Sequence, residues 1–164
     1  MSELVLSAGQ VLAWHEVTSE RWKGFLTAHP ELLAMPCDIA GTHTLGEAMQ
    51  HIVAVELRYA ERLANLQETD YASVPFDSVE AIYATHDKAA KIFKDLLAAD
   101  VDWDGRIEFM TRSRGAVRSS RRTIFFHALL HSARHYAQLA TMARQHGVAP
   151  DWPMDYLFMD MERV

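Results

Sequence analysis

The chain carries one cysteine, Cys37, in 164 residues. No intrachain disulfide can form, and such a composition suits a reducing cytoplasm. A surplus of basic charge is also missing. The formal net charge is −6, which argues against nucleic acid as a partner, because phosphate binding needs a basic surface. The one local concentration of positive charge is Arg112, Arg114, Arg118, Arg121 and Arg122. No apolar run is long enough to span a bilayer, so no membrane partner is expected. The first ten residues, MSELVLSAGQ, lack the basic stretch and apolar core of a signal peptide. Internal repeats and low-complexity segments are absent. So are a Ser/His/Asp arrangement, a Gly-rich phosphate loop and a Cys/His nucleophile pattern. What remains is a chain whose length and 49% hydrophobic content predict one globular domain over residues 1–164.

Convincing strand alternation is scarce, and four segments carry helical spacing. The first runs from about Ala8 to Ala28, with Val11, Leu12, Trp22, Phe25 and Leu26 on one stripe and Pro30 as its stop. The second opens on Thr44-Leu-Gly-Glu47, a capping box, and runs to about Asn65 with Ala48, Ile52, Val55, Tyr59 and Leu63 inward. The third follows the cap Asp77-Ser-Val-Glu80 and runs to about Ala98, with Val79, Ile82, Ala89, Phe93 and Leu96 as its stripe. Arg106-Ile-Glu-Phe-Met alternates, and Ser113-Arg-Gly can turn it into a short β-hairpin. Ser119 or Ser120 then caps a fourth helix that ends near His146, with Gly147 as its stop. The expected fold is all-α, a four-helix bundle whose long connections do not require an up-down-up-down order. The tail, VAPDWPMDYLFMDMERV, is rich in aromatics and Met and is expected to pack back on the bundle. The same surplus of apolar groups suggests a homodimer.

The most informative stretch is FFHALLHSARHYAQ, Phe125 to Gln138. His127, His131 and His135 stand four residues apart, and such steps keep them on one helical face. Two histidines at i and i+4 can grip one metal ion from a single helix. At about 1.5 Å of rise per residue, His127 and His135 lie roughly 12 Å apart, too far for a shared ion. The pair is therefore His127 with His131 or His131 with His135. A lone histidine near an apolar face is more often a hydrogen-bonded core residue, but burying three costs desolvation unless each ring finds a partner. Phe126, Leu130, Ala133, Ala137 and Ala140 suggest an apolar stripe beside the row. A third ligand would come from His51, bordering the second helix's inner face, or from His86, inside the third helix's stripe, and spacing does not choose. His15, His29 and His146 look terminal or exposed. No Glu-x-x-His motif offers paired carboxylates as competing ligands.

Three stretches together resemble the DinB/YfiT-like superfamily of metalloenzymes. TLGEAMQHIVAVELRYAERL is similar to the family's second helix, with His51 followed by Glu56. FFHALLHSARHYAQLA is similar to its fourth, with His131, His135 and the downstream Gln138. The tail PDWPMDYLFM is similar to family endings. The resemblance covers nearly the whole chain and implies a bundle of non-sequential topology. It also implies that His51, His131 and His135 hold one divalent metal, nickel or zinc. His127 would then be a neighbour of the site. Many members carry Arg-Gly after the last ligand, where this chain has Tyr136-Ala137, although Arg134 stands nearby.

Three neutral imidazoles leave a position open on a divalent ion. The resemblance implies a small-molecule substrate and a low-molecular-weight thiol cosubstrate, as in relatives that look like thiol-dependent S-transferases or isomerise small acids with such a thiol. The expected function is a metal-dependent enzyme, a thiol-dependent S-transferase or a hydrolase. The alternative is a metal-stabilised stress-response or binding protein without turnover. Glu56, five residues past His51, falls off that ligand's face. His127 is the expected proton shuttle, and Gln138 the expected hydrogen-bond partner of a ligand ring or of a metal-bound water.

Overall fold

The computed structural model describes residues 5–111 and 114–162. Helices α1 (Ala8–Ala28), α2 (Leu45–Leu63), α3 (Val79–Ala98) and α4 (Arg121–Gln145) make the body, and strands β1 (Arg106–Thr111) and β2 (Gly115–Ser120) precede α4. Each helix starts where a side chain replaces a missing backbone acceptor. Ser7 and Gln10 form a reciprocal capping box at α1. Ser78, rather than Asp77, accepts from Ala81 N–H at α3, and Ser120 from Thr123 N–H at α4. At α2 the Thr44 hydroxyl accepts from Glu47 N–H, but Glu47 reaches one residue further back than a capping box requires, to the N–H of His43 at 2.7 Å. Beyond α4, Gly147 takes φ +84°, the left-handed stop that a side chain would strain.

The hairpin pairs antiparallel from Arg106↔Ser120 to Thr111↔Gly115. Ser113 of the expected turn lies outside the described residues, as does Arg112 of the arginine group. The segment after α1, expected as plain loop, contains two short 3₁₀ turns, Pro30–Ala34 and Ile39–Gly41.

Helix α1 packs on α3 and α4, and α2 packs on the same two. Around the bundle the order is therefore α1, α3, α2, α4, so the α1–α2 and α3–α4 connections cross to the diagonal position. The long loops make this non-sequential order possible.

The core has two apolar clusters along the bundle. One gathers Trp22, Leu26, Ile52, Ile82, Tyr83, Tyr136 and Leu139. The other gathers Leu12, Leu57, Phe93, Phe125 and Leu129. Between them in every helix lies a polar turn: His15, Thr18 and Ser19 on α1, Glu56 on α2, Thr85 and His86 on α3, His131, Ser132 and His135 on α4, all buried. A polar layer through the middle of a bundle sacrifices apolar burial, so its residues point to chemistry.

Two expectations need correction. The buried face of α4 is not Phe126, Leu130, Ala133 and Ala137. Leu130 is 53% exposed, and the face is Phe125, Ala128, Leu129, Ser132, Tyr136, Leu139 and Ala140. Ser132 interrupts this face, and the small residues Ala128 and Ala140 make up part of it, so counting apolar residues misplaces the stripe. The tail packs back only in part. Trp152 stacks edge-on against Trp22 and Phe25, and Trp14 donates to Met154 O at 3.2 Å, but Leu157 and Met161 stay exposed.

Candidate metal centre

On α4, one turn separates His131 from His135, and α2 faces them with His51. The three Nε2 atoms converge: His131 Nε2 lies 3.1 Å from His51 Nε2 and 3.1 Å from His135 Nε2. The structure brings these three together and leaves His86 elsewhere, on Glu56. His127, one turn earlier, is outside the group, with its ring centroid 5.6 Å from that of His131 and 5.3 Å from that of Tyr59.

Gln138 Oε1 sits 2.7 Å from His135 Nδ1, so Nδ1–H donates to it and His135 Nε2 keeps a lone pair. Arg134 approaches that same Nε2 at 3.2 Å as a donor. Among the described residues the buried His131 Nδ1 has no hydrogen-bond partner, and its Nε2 lies between two other ring nitrogens. Burial, reinforced by His135 and His51, pushes the His131 pKa down to about 2. Burial also lowers His135, against the opposing effect of Gln138. Three neutral rings whose Nε2 atoms converge are a donor set that accommodates a divalent cation. The residues present fit the group.

Above the cluster a pocket of about 440 Å³ opens to solvent, a volume within the range of small-ligand sites. It is lined by His51, His127 and His131, by Val55, Tyr59 and Tyr71, and by Met110 and Val117 of the hairpin. The hairpin thus serves as a pocket wall. Four arginines also line it: Arg58, Arg62, Arg114 and Arg134. Arg62 holds Glu68 at 2.7 Å and lies over the Tyr59 and Phe109 rings. Arg58 also touches Glu68, at 3.1 Å, but its buried Nε has no hydrogen-bond partner among the described residues. His127 is exposed at the rim, and partial burial together with Arg134 lowers its pKa. At neutral pH it is therefore a base rather than a cation. Tyr136, in contrast, is wholly buried on Trp22, which removes it from the pocket.

A second buried cluster escaped the sequence reading. His15, expected to be terminal or exposed, is 4% exposed. Its Nε2 lies 3.1 Å from Glu56 Oε1, while His86 Nδ1 lies 2.7 Å from Glu56 Oε2. Ser132 Oγ donates to Glu56 Oε1 at 2.7 Å. Burial would raise the Glu56 pKa, but the two histidines outweigh it and hold the carboxyl far below its usual range. Burial would lower His86, and Glu56 outweighs that in turn and raises it. The signal for His15 was present: with Val11, Leu12, Thr18, Ser19 and Trp22 it keeps helical spacing on the buried face of α1.

A helical bundle with three convergent histidines beneath an open pocket defines a class of candidate metal-site bundles. The chain belongs to the DinB family, whose family model matches residues 1–163. No curated protein matches the sequence.

Proposed function

We propose that the protein is a metal-dependent enzyme with His51, His131 and His135 as ligands of one divalent ion, zinc or nickel, and that it is a thiol-dependent S-transferase acting on a small anionic molecule. The observation that carries this reading is the convergence of the three Nε2 atoms, with the rings of His51 and His131 lining an open pocket. Such an ion, when bound, supplies Lewis acidity and affinity for a thiolate. A purely structural metal site would be closed by a protein side chain, whereas this one faces a cavity with aromatic and Met walls.

The chain's own residues have distinct tasks. Gln138 fixes the tautomer and orientation of His135. His127, neutral and one turn from the ligands, accepts the proton of the incoming thiol and returns it to the leaving group. Arg58, Arg114 and Arg134 attract and orient a carboxylate or similar anion. Val55, Tyr59, Met110 and Val117 take the apolar body of the substrate. The net charge of −6 suits a small-molecule partner better than nucleic acid. Among the described residues no helix is long and apolar enough to cross a membrane. With one buried, unpaired cysteine, we place the protein in the cytoplasm. Exposed Leu157 and Met161 support a homodimer through the tail.

Metal analysis of protein purified without an affinity tag tests the reading, followed by a screen of low-molecular-weight thiols against carboxylate-bearing electrophiles. Metal at stoichiometric level and thiol transfer lost on chelation are expected. Thiol-independent hydrolysis would replace transferase by hydrolase. Metal without turnover would favour a stress-response or binding role, and absence of metal binding would refute the proposal.

A further inference from the structure

The cluster of His15, Glu56 and His86 takes no part in the function proposed above. Its donors come from α1, α2 and α3, and one ligand atom from each lies within 4.8 Å of the others. All three side chains are buried. Two imidazoles and one carboxylate are a donor set used for zinc and for other divalent first-row metals.

Two observations separate this group from an ordinary buried ion pair. The first is His15 Nε2. It is close to Glu56 Oε1, at 3.1 Å, yet it is buried and its direction makes no hydrogen bond. Ser132 already donates to that oxygen, so the carboxylate is oriented without help from His15. The second is access. His86 also lines a groove of about 420 Å³ between α1 and α3, which carries Glu16, Glu20 and Asp87. Lys91 and Lys94 share the groove, but they are paired with Asp95 and Glu16. The mouth therefore favours cations.

We infer that His15, Glu56 and His86 form a second divalent-cation site, entered from the α1–α3 groove on the far side of α2 and α4 from the arginine-lined pocket. The cation takes the place of the His86 proton as the counter-charge of Glu56, and it gives His15 Nε2 a better-aligned partner than the carboxylate offers. Ser132 joins the two centres through the backbone, because it follows His131 on α4.

The test uses the full chain, free of tags and stripped with chelator, titrated with Zn²⁺ by equilibrium dialysis. Wild type is expected to bind two equivalents, His86→Ala one, His131→Ala one, and the double variant none. One equivalent in wild type, lost in His131→Ala and kept in His86→Ala, overturns the inference and leaves the three-histidine centre standing. One equivalent with the reverse pattern supports the second site and removes the first. If His86→Ala does not fold, wild-type crystals soaked in Zn²⁺ decide. Anomalous density among His15, Glu56 and His86 supports the site, and its absence at saturating Zn²⁺ overturns it.

Discussion

Glu56→Gln is the most revealing perturbation of the bundle's interior. The substitution keeps shape and volume but removes a charge that is wholly buried and contacted by His15, His86 and Ser132. In metal-free protein, His86 loses its counter-ion at 2.7 Å, and one of the three groups facing the old carboxylate meets an amide N–H₂ instead of an acceptor. Breaking a buried pair by neutralising one partner costs about 3–5 kcal/mol. For a domain of this size that corresponds to a fall in Tm of roughly 6–20 °C. The pH dependence follows from the two opposite shifts. Glu56, held low, contributes stability above its unfolded value of about 4.5 and loses it as pH falls toward the folded value. His86, held high, contributes stability below its unfolded value of about 6.5 and loses it as pH rises through the folded value. The gap between wild type and Glu56→Gln should therefore be widest between about pH 4.5 and pH 6.5 and narrow on either side. Urea denaturation in excess chelator across that range measures it. A loss below about 1 kcal/mol at pH 6, or a gap that widens steadily above pH 8, would refute the charge assignment in this layer.

Other outcomes follow from the same geometry. Gln138→Ala removes the acceptor that fixes His135 and should weaken metal affinity about 10–100-fold, read by competition with a chromophoric chelator. His127→Ala should keep the metal equivalent of the three-histidine centre and lose thiol transfer, since its ring lies outside the converging nitrogens; loss of metal in dialysis would mean that it is a ligand. His131 is held neutral in the native state, while the unfolded chain takes up a proton below about pH 6.5, so metal-free wild type should lose stability relative to His131→Ala as pH falls from about 7.5 to about 5. Parallel chemical melts check that sign. Arg134→Ala should raise KM for an anionic substrate more than it lowers kcat in steady-state assays, because its task is to orient charge at the pocket.

Helix starts and stops were legible to within a residue because capping is local chemistry: Thr44, Ser120 and Gly147 act within four residues of themselves, and the α3 cap moved by one, from Asp77 to Ser78. The hairpin was legible from alternation in Arg106 to Met110. The i,i+4 pair His131 and His135 was legible as a candidate from periodicity, but periodicity left His51 and His86 equal. Their difference is tertiary. The bundle order turns His51 toward α4 and gives His86 to Glu56. The inward course of Glu56 could be read only as lying off the ligand's face, because a carboxylate in a core makes sense only with its partners in place. His15 was missed because a polar residue near a chain start is read as exposed unless its spacing is weighed. The α4 stripe was misplaced because Ser132 and the small Ala128, though buried, carry little hydrophobic signal.

The central claim is that three ring nitrogens share one ion, and X-ray diffraction at the metal's absorption edge tests it most directly. In tag-free, metal-saturated crystals the account predicts an anomalous peak about 2.0–2.2 Å from the Nε2 atoms of His51, His131 and His135, with His127 left outside the coordination sphere. A saturated crystal with no peak among those three nitrogens, or a peak on His127 and His131 instead, would contradict it.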